Sequence, residues 1–230
     1  EAAQWYQKAA QGGAASVQSN LGMLYLTGQG LTRDFAQAVY WSRKAAEQGD
    51  VAAQNNLALC LKEGLGVEKN PQEALSWFRK AAEAGNANAQ SSLGSMYSSG
   101  TGTPQDFAEA VRWLRKAADQ GDLVAQINLG LLFQNGQGVA QDYAKAAELY
   151  QKPAAAGNST AQMNLGMLYR NGLGVPQDYP QALNWIRKAA EAGVPSAQVN
   201  LGMMLQNGQG GPQDFAQALA WYLRAAESGS

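Results

Sequence analysis

The chain has 230 residues, 46% of them hydrophobic and only 15% charged, with 17 Lys and Arg against 18 Asp and Glu. A formal net charge of -1 supplies no basic field for nucleic acid or an anionic membrane surface, and no apolar run is long enough to span a bilayer. Histidine is absent, which removes the commonest general base and metal ligand, and the single Cys60 can form neither an internal disulfide nor a zinc cluster.

In chain order, residues 1–13 read as the second half of a repeating unit, with Trp5, Lys8 and Gly13 matching Trp41, Lys44 and Gly49. Because Glu1 falls inside a unit, the natural N-terminus is expected upstream. The first complete unit, 14–49, opens with a helix A over 16–27, where Val17, Leu21, Leu24 and Tyr25 share one helical face. Gly28 and Gly30 then stop that helix, since glycine accepts the left-handed conformation that closes a C-terminus. Helix B begins at Asp34, whose carboxylate can cap the first turn with Gln37 three residues on, and buries Ala38, Trp41, Ala45 and Ala46 before Gly49.

The same phrase returns. Gln18, Gln54, Gln90, Gln126, Gln162 and Gln198 recur at a constant interval of 36, which sets units 14–49, 50–85, 86–121, 122–157, 158–193 and 194–229. In 50–85, Asn70 before Pro71 caps helix B with a different pair, and Cys60 takes the core place of Leu24, Met96 and Leu132. In 86–121, Asp106 and Glu109 repeat the cap. In 122–157, Leu149 replaces tryptophan and Pro153 replaces the alanine at Ala45, Ala81 and Ala117. Proline removes the N–H that would bond the Leu149 carbonyl, so helix B should bend there. In 158–193 the glycines of NLGMLYRNGLGVPQDY resemble a dinucleotide loop only on the surface. A helix precedes them rather than a strand, and Gln177 stands where the third glycine belongs, so they are helix stops.

Helix pairs of this size cannot bury their faces alone, so the reading is an all-α, α/α superhelical solenoid of antiparallel helix pairs. The pattern A-Q-x-x-L-G-x-x-Y-x-x-G-x-G-V-x-x-D-Y-x-x-A-x-x-W-x-x-K-A-A-E-x-G resembles the Sel1-like repeat over essentially the whole chain. Tetratricopeptide repeats are relatives with a shorter, 34-residue unit that lacks the glycine-bounded turn. The resemblance implies a right-handed superhelix with helix A on the concave side. It also implies an adaptor role in assembling protein complexes, often in bacterial envelopes or secretion, which favours an extracytoplasmic location. Relatives with paired cysteines in each unit have been linked to β-lactams; this chain lacks those pairs and that activity is not carried over.

The arc of helix A left free by the constant residues holds Ser16, Ser19, Asn20, Met23, Leu26 and Thr27 in the first unit and should line a groove. Its middle positions are Ser91 and Ser95 in unit three, but Ile127 with Leu131, Met163 with Met167, and Val199 with Met203 in units four to six, an apolar stripe read either as core or as a binding surface. Beside it run Asn128, Asn164 and Asn200, continuing Asn20 and Asn56. These amides either meet the main chain of an extended peptide, as the same position does in peptide-binding tetratricopeptide repeats, or bridge neighbouring helices. Charge on this arc is confined mainly to Lys62, Glu63 and Arg170, little basis for a clamp on carboxylate or phosphate. The repeated glutamine should bond a loop carbonyl.

These features predict a noncatalytic scaffold that binds a protein or peptide partner, with no cofactor, metal, nucleic acid or membrane insertion. Head-to-tail self-association is expected through ends that expose core-type surface. The alternatives are a secreted or surface bacterial factor that binds a host protein through loops or the convex face, and an enzyme or polysaccharide-binding module. The last would want exposed aromatic platforms or one unit with clustered polar groups, and no unit shows them.

Overall fold

The computed structural model describes residues 2–227, with side chains from Tyr6 onward. The side chain of Trp5 and the whole of Gly229 therefore lie outside the described residues. Thirteen helices and no strand are found among them, as the repeat predicts. They divide into two compact units, Glu1–Asp122 and Leu123–Ser230. The first holds α1 (Ala2–Gln11), α2 (Ala15–Thr27), α3 (Phe35–Glu47), α4 (Val51–Glu63), α5 (Pro71–Glu83), α6 (Ala87–Ser99) and α7 (Phe107–Asp119). The second holds α8 (Leu123–Asn135), α9 (Tyr143–Ala155), α10 (Ser159–Asn171), α11 (Tyr179–Glu191), α12 (Pro195–Gln206) and α13 (Phe215–Glu227). From α2 onward, even-numbered helices are helix A and odd-numbered ones helix B.

Short-range chemistry draws the helix ends. Gly28 adopts φ 74° and its N–H donates to the Leu24 carbonyl, closing α2 with the left-handed residue the sequence supplies. The N–H groups of Gln37, Glu109 and Gln181 donate to Asp34, Asp106 and Asp178 at 2.9–3.0 Å. Only half of the expected reciprocal cap forms at Asp106. The Glu109 carboxylate turns instead to the Trp113 indole N–H at 3.1 Å and to Arg112. Helix A carries caps as well, from Asp50, Asn86 and Asn158, which accept from the third residue on.

Helix A packs on its helix B through one glycine in five of the six complete repeats. A Cβ added to Gly94, Gly130 or Gly166 would stand 2.6 Å from Leu114, Tyr150 or Ile186, so the absent side chain is the space the facing residue fills. In the second repeat the glycine is Ala58, and the facing residue is Phe78, both fully buried. This facing residue, one after the tryptophan, is the centre of each pair. Trp41, Trp77 and Trp113 are buried beside it, while Trp185 and Trp221 are half-buried. A basic side chain covers the indole at 4.0 Å for Lys80 and 4.5 Å for Lys188.

The repeated glutamine bonds the preceding helix rather than a loop. Nε2 of Gln18, Gln90 and Gln162 donates to the carbonyls of Ala10, Ala82 and Ala154 at 3.0 Å, in the last turn of the preceding helix B. Those carbonyls also accept from the N–H groups of Gly13, Gly85 and Gly157 at 3.1 Å, so the buried amide adds a second donor at each helix end and ties two repeats together. Pro153 does not end α9, which keeps the same thirteen-residue length as α3 and α11, and fully buried Tyr150 takes up the centre beside Leu149.

At α13, Phe215, Leu219 and Leu223 are 63%, 60% and 56% exposed, whereas Val39 and Leu183, the counterparts of Leu219, are buried under the next helix A. The final helix thus shows the core-type surface the repeat predicts.

Cys60 is fully buried and its thiol is pushed up to about 11 by desolvation, so little thiolate exists near neutrality. A thiol reagent at pH 8 is expected to label it only as urea unfolds the chain. Prompt stoichiometric labelling of the folded protein would show that α4 opens freely.

Candidate functional site

The free arc of helix A is narrower than expected. Ser19 and Ser91 are buried, each 5% exposed, and their hydroxyls donate to the Asp50 and Asp122 carboxylates at 2.8 and 3.1 Å. That column therefore reaches toward the start of the next helix A. Ile127, in the same column, is 7% exposed, so it packs inside rather than lining a groove. Met163 and Met167 are half-buried and lie against the core cluster that includes Leu183, Ile186, Leu201 and Met204. Of the two readings the sequence left open for this stripe, Met163 and Met167 have at least one side on the core. Leu131, Val199 and Met203 are half-buried too.

The asparagine column is not uniform. Asn20 is exposed, Asn56 is buried, and Asn128, Asn164 and Asn200 are half-buried. Asn200 is engaged on both sides of its amide: Oδ1 accepts from Arg170 Nη1 at 2.9 Å, and Nδ2 donates to the Ser196 carbonyl at 2.8 Å. Asn200 thus bridges α12 to Arg170 of α10. Asn164 lies beside the Tyr150 hydroxyl without reaching hydrogen-bond geometry, and its Nδ2 is buried and unpartnered. Burial pushes the Tyr150 phenol well above its ordinary value, and nearby Asn164 offsets this only in part.

A contact that sequence reading missed joins the pair centre to this arc. Tyr150 donates to Gln134 at 3.0 Å and Tyr222 to Gln206 at 2.9 Å. The signal was a Gln and a Tyr sixteen residues apart in both repeats. In the first unit, Arg43 of α3 pairs with Glu73 of α5 at 2.8 Å. Burial alone would raise Glu73, but Arg43 and the Trp77 indole hold it below the usual carboxylate range. A lowered carboxylate contributes above that range, and the link is lost as pH falls through the lowered value.

No group of three or more His, Cys, Asp or Glu side chains suited to a metal occurs among the described residues. No described helix is long and apolar enough to cross a membrane.

With 36-residue helix pairs, glycine stops and buried glutamine ties in place, the chain was compared with known proteins. The Sel1 repeat family model matches residues 1–13, 15–50, 51–86, 87–122, 123–158, 159–194 and 195–230. The chain belongs to the Sel1 repeat family. Proteins built from Sel1 repeats are generally protein-interaction scaffolds. Among solved structures, it is similar to c5321, described as a protective antigen present in uropathogenic Escherichia coli strains and displaying an SLR fold. The identity is 38% with a TM-score of 0.89, over 98% of this chain and 48% of that one, so the chain spans about half the length of the E. coli protein. A Sel1 repeat protein from Oxalobacter formigenes is 35% identical over 92% of this chain and 85% of its own, with a TM-score of 0.79. A further Sel1 repeat protein, from Klebsiella pneumoniae subsp. pneumoniae, is 28% identical over 83% of this chain and 93% of its own, with a TM-score of 0.54. No curated protein matches the chain.

Proposed function

We propose that this Sel1 repeat chain is a noncatalytic scaffold that binds an extended segment of a protein partner along the helix A face of α8, α10 and α12. The observation that carries the reading is the column Leu131, Met167 and Met203. It sets three half-exposed apolar side chains at the same place on three successive helices. Methionine adapts its shape to varied apolar partners. Affinity follows from how well a few side chains are desolvated rather than from area, because ordering a flexible segment offsets much of the gain.

Met203→Glu is the cleaner test, since Met167 packs against the core cluster. Partner capture is expected to fall at least about tenfold with unchanged helical circular dichroism, the size of one desolvated apolar anchor. A photo-crosslinking residue at 131 or 203 should join the partner, and one at exposed Lys145 on α9 should not. Crosslinks confined to helix B or the turns would move the site to those surfaces.

A further inference from the structure

Charge is nearly absent from helix A. In the first unit α2 and α6 carry none, and α4 carries only Lys62 and Glu63, which pair with each other at 2.8 Å. In the second unit, α8 and α12 carry none, and Arg170 of α10 is the sole charged residue on the three helices. The arginine ion pairs among the described residues are made on helix B, where Arg43 meets Glu73 and Arg112 meets Glu109. Among the described residues no carboxylate pairs with Arg170, although its side chain is half-buried.

A guanidinium has five N–H donors in a rigid plane. Asn200 takes one at 2.9 Å and is itself anchored to the Ser196 carbonyl, so the plane is held by a neutral side chain that leaves the charge uncompensated. Taking a cation partly out of water without a counter-charge is costly, and an arriving anion recovers that cost. Met167 precedes Arg170 by three residues and Met203 follows Asn200 by three, the spacing of neighbours on one helix face. The fixed cation is thus flanked by apolar side chains.

We infer that Arg170, oriented by Asn200, takes an Asp or Glu side chain of the partner segment, flanked by apolar residues that meet Met167 and Met203. This rests on the proposed helix A site and names its ligand chemistry. It assigns Asn200 a positioning role in place of a direct main-chain contact. Arg170 also lies in the last turn of α10, where any cation favours the helix dipole, so the test must separate the two roles.

The probe is an array of acetylated, C-terminally amidated twelve-residue peptides of Leu, Met, Ala, Gly and Ser. A single Glu is scanned through each position, with a matched array carrying Gln. The 230-residue chain is expected to retain Glu peptides about tenfold better than their Gln partners, the size of one charge-assisted hydrogen bond, with the preference falling as salt rises. Arg170→Gln should abolish the preference for Glu over Gln peptides, and Asn200→Ala should reduce it. Arg170→Lys keeps the charge at the helix end but loses the planar fork, so the preference should shrink while thermal stability holds. Equal retention of Glu and Gln peptides by the unaltered chain, with both lowered by Met203→Glu, would overturn the carboxylate assignment and leave the helix A site standing. Retention that ignores Arg170→Gln and Met203→Glu alike, or no retention of either array, would overturn both.

Discussion

Gly174→Ala is expected to destabilise the second unit by about 2–5 kcal/mol. Gly174 has φ +71°, a left-handed conformation that costs a residue with a Cβ about 1–2 kcal/mol. The added carbon would also stand 2.2 Å from the Tyr143 carbonyl carbon and 2.3 Å from the Ala144 nitrogen, backbone atoms in the first turn of α9. Backbone cannot swing aside as the tip of a side chain can, so the turn must lift from α9, adding about 1–3 kcal/mol of overpacking. Gly66 and Gly210 make the same approach to Phe35 and Tyr179, which marks this contact as part of how one repeat seats on the previous one. Gly193→Ala supplies the control. Its φ is +84° but nothing lies within 4 Å of the added carbon, so about 1–2 kcal/mol is expected from conformation alone. Urea unfolding followed by circular dichroism and Tyr and Trp fluorescence measures both. Equal losses for the two variants would show that close approach to α9 contributes nothing.

Phe78→Ala is expected to cost the first unit about 3–5 kcal/mol, the range for truncating a buried aromatic ring. Phe78 is fully buried at the centre of the α4 and α5 pair, opposite a helix A that carries Ala58 rather than glycine. The backbones cannot collapse onto the vacated space as closely as they could over a glycine, so much of the cavity should persist. Stability in a repeat protein is carried by each repeat and its nearest neighbours, so the loss should lower the unfolding midpoint through α3 to α6. Phe215→Ala, at a ring that is 63% exposed, should change the midpoint little. A cost below about 1 kcal/mol for Phe78→Ala would show that the ring does not hold α4 on α5.

The period of 36, the alternation of helices A and B, the glycine stops and the Asp34, Asp106 and Asp178 caps were all legible in the residues, because each depends on chemistry within a few positions along the chain. The buried glutamine was legible as a structural amide as well, since an amide left wholly unpaired on a core arc costs about 1–3 kcal/mol. Its acceptor was not, because the Ala82 carbonyl that Gln90 uses belongs to the preceding helix B. The face that would remain open was decided only in three dimensions. A helical wheel divides helix A into two arcs, but α4 packs on α3, α5 and α2, so burial extends beyond the arc facing its own helix B. For that reason Ser19 and Ile127 are inside, and Met163 and Met167 rest on the core. The pairing of Arg170 with Asn200 has the same origin: thirty residues separate them, and only the stacking of α12 beside α10 brings an amide to the one charged side chain on that face.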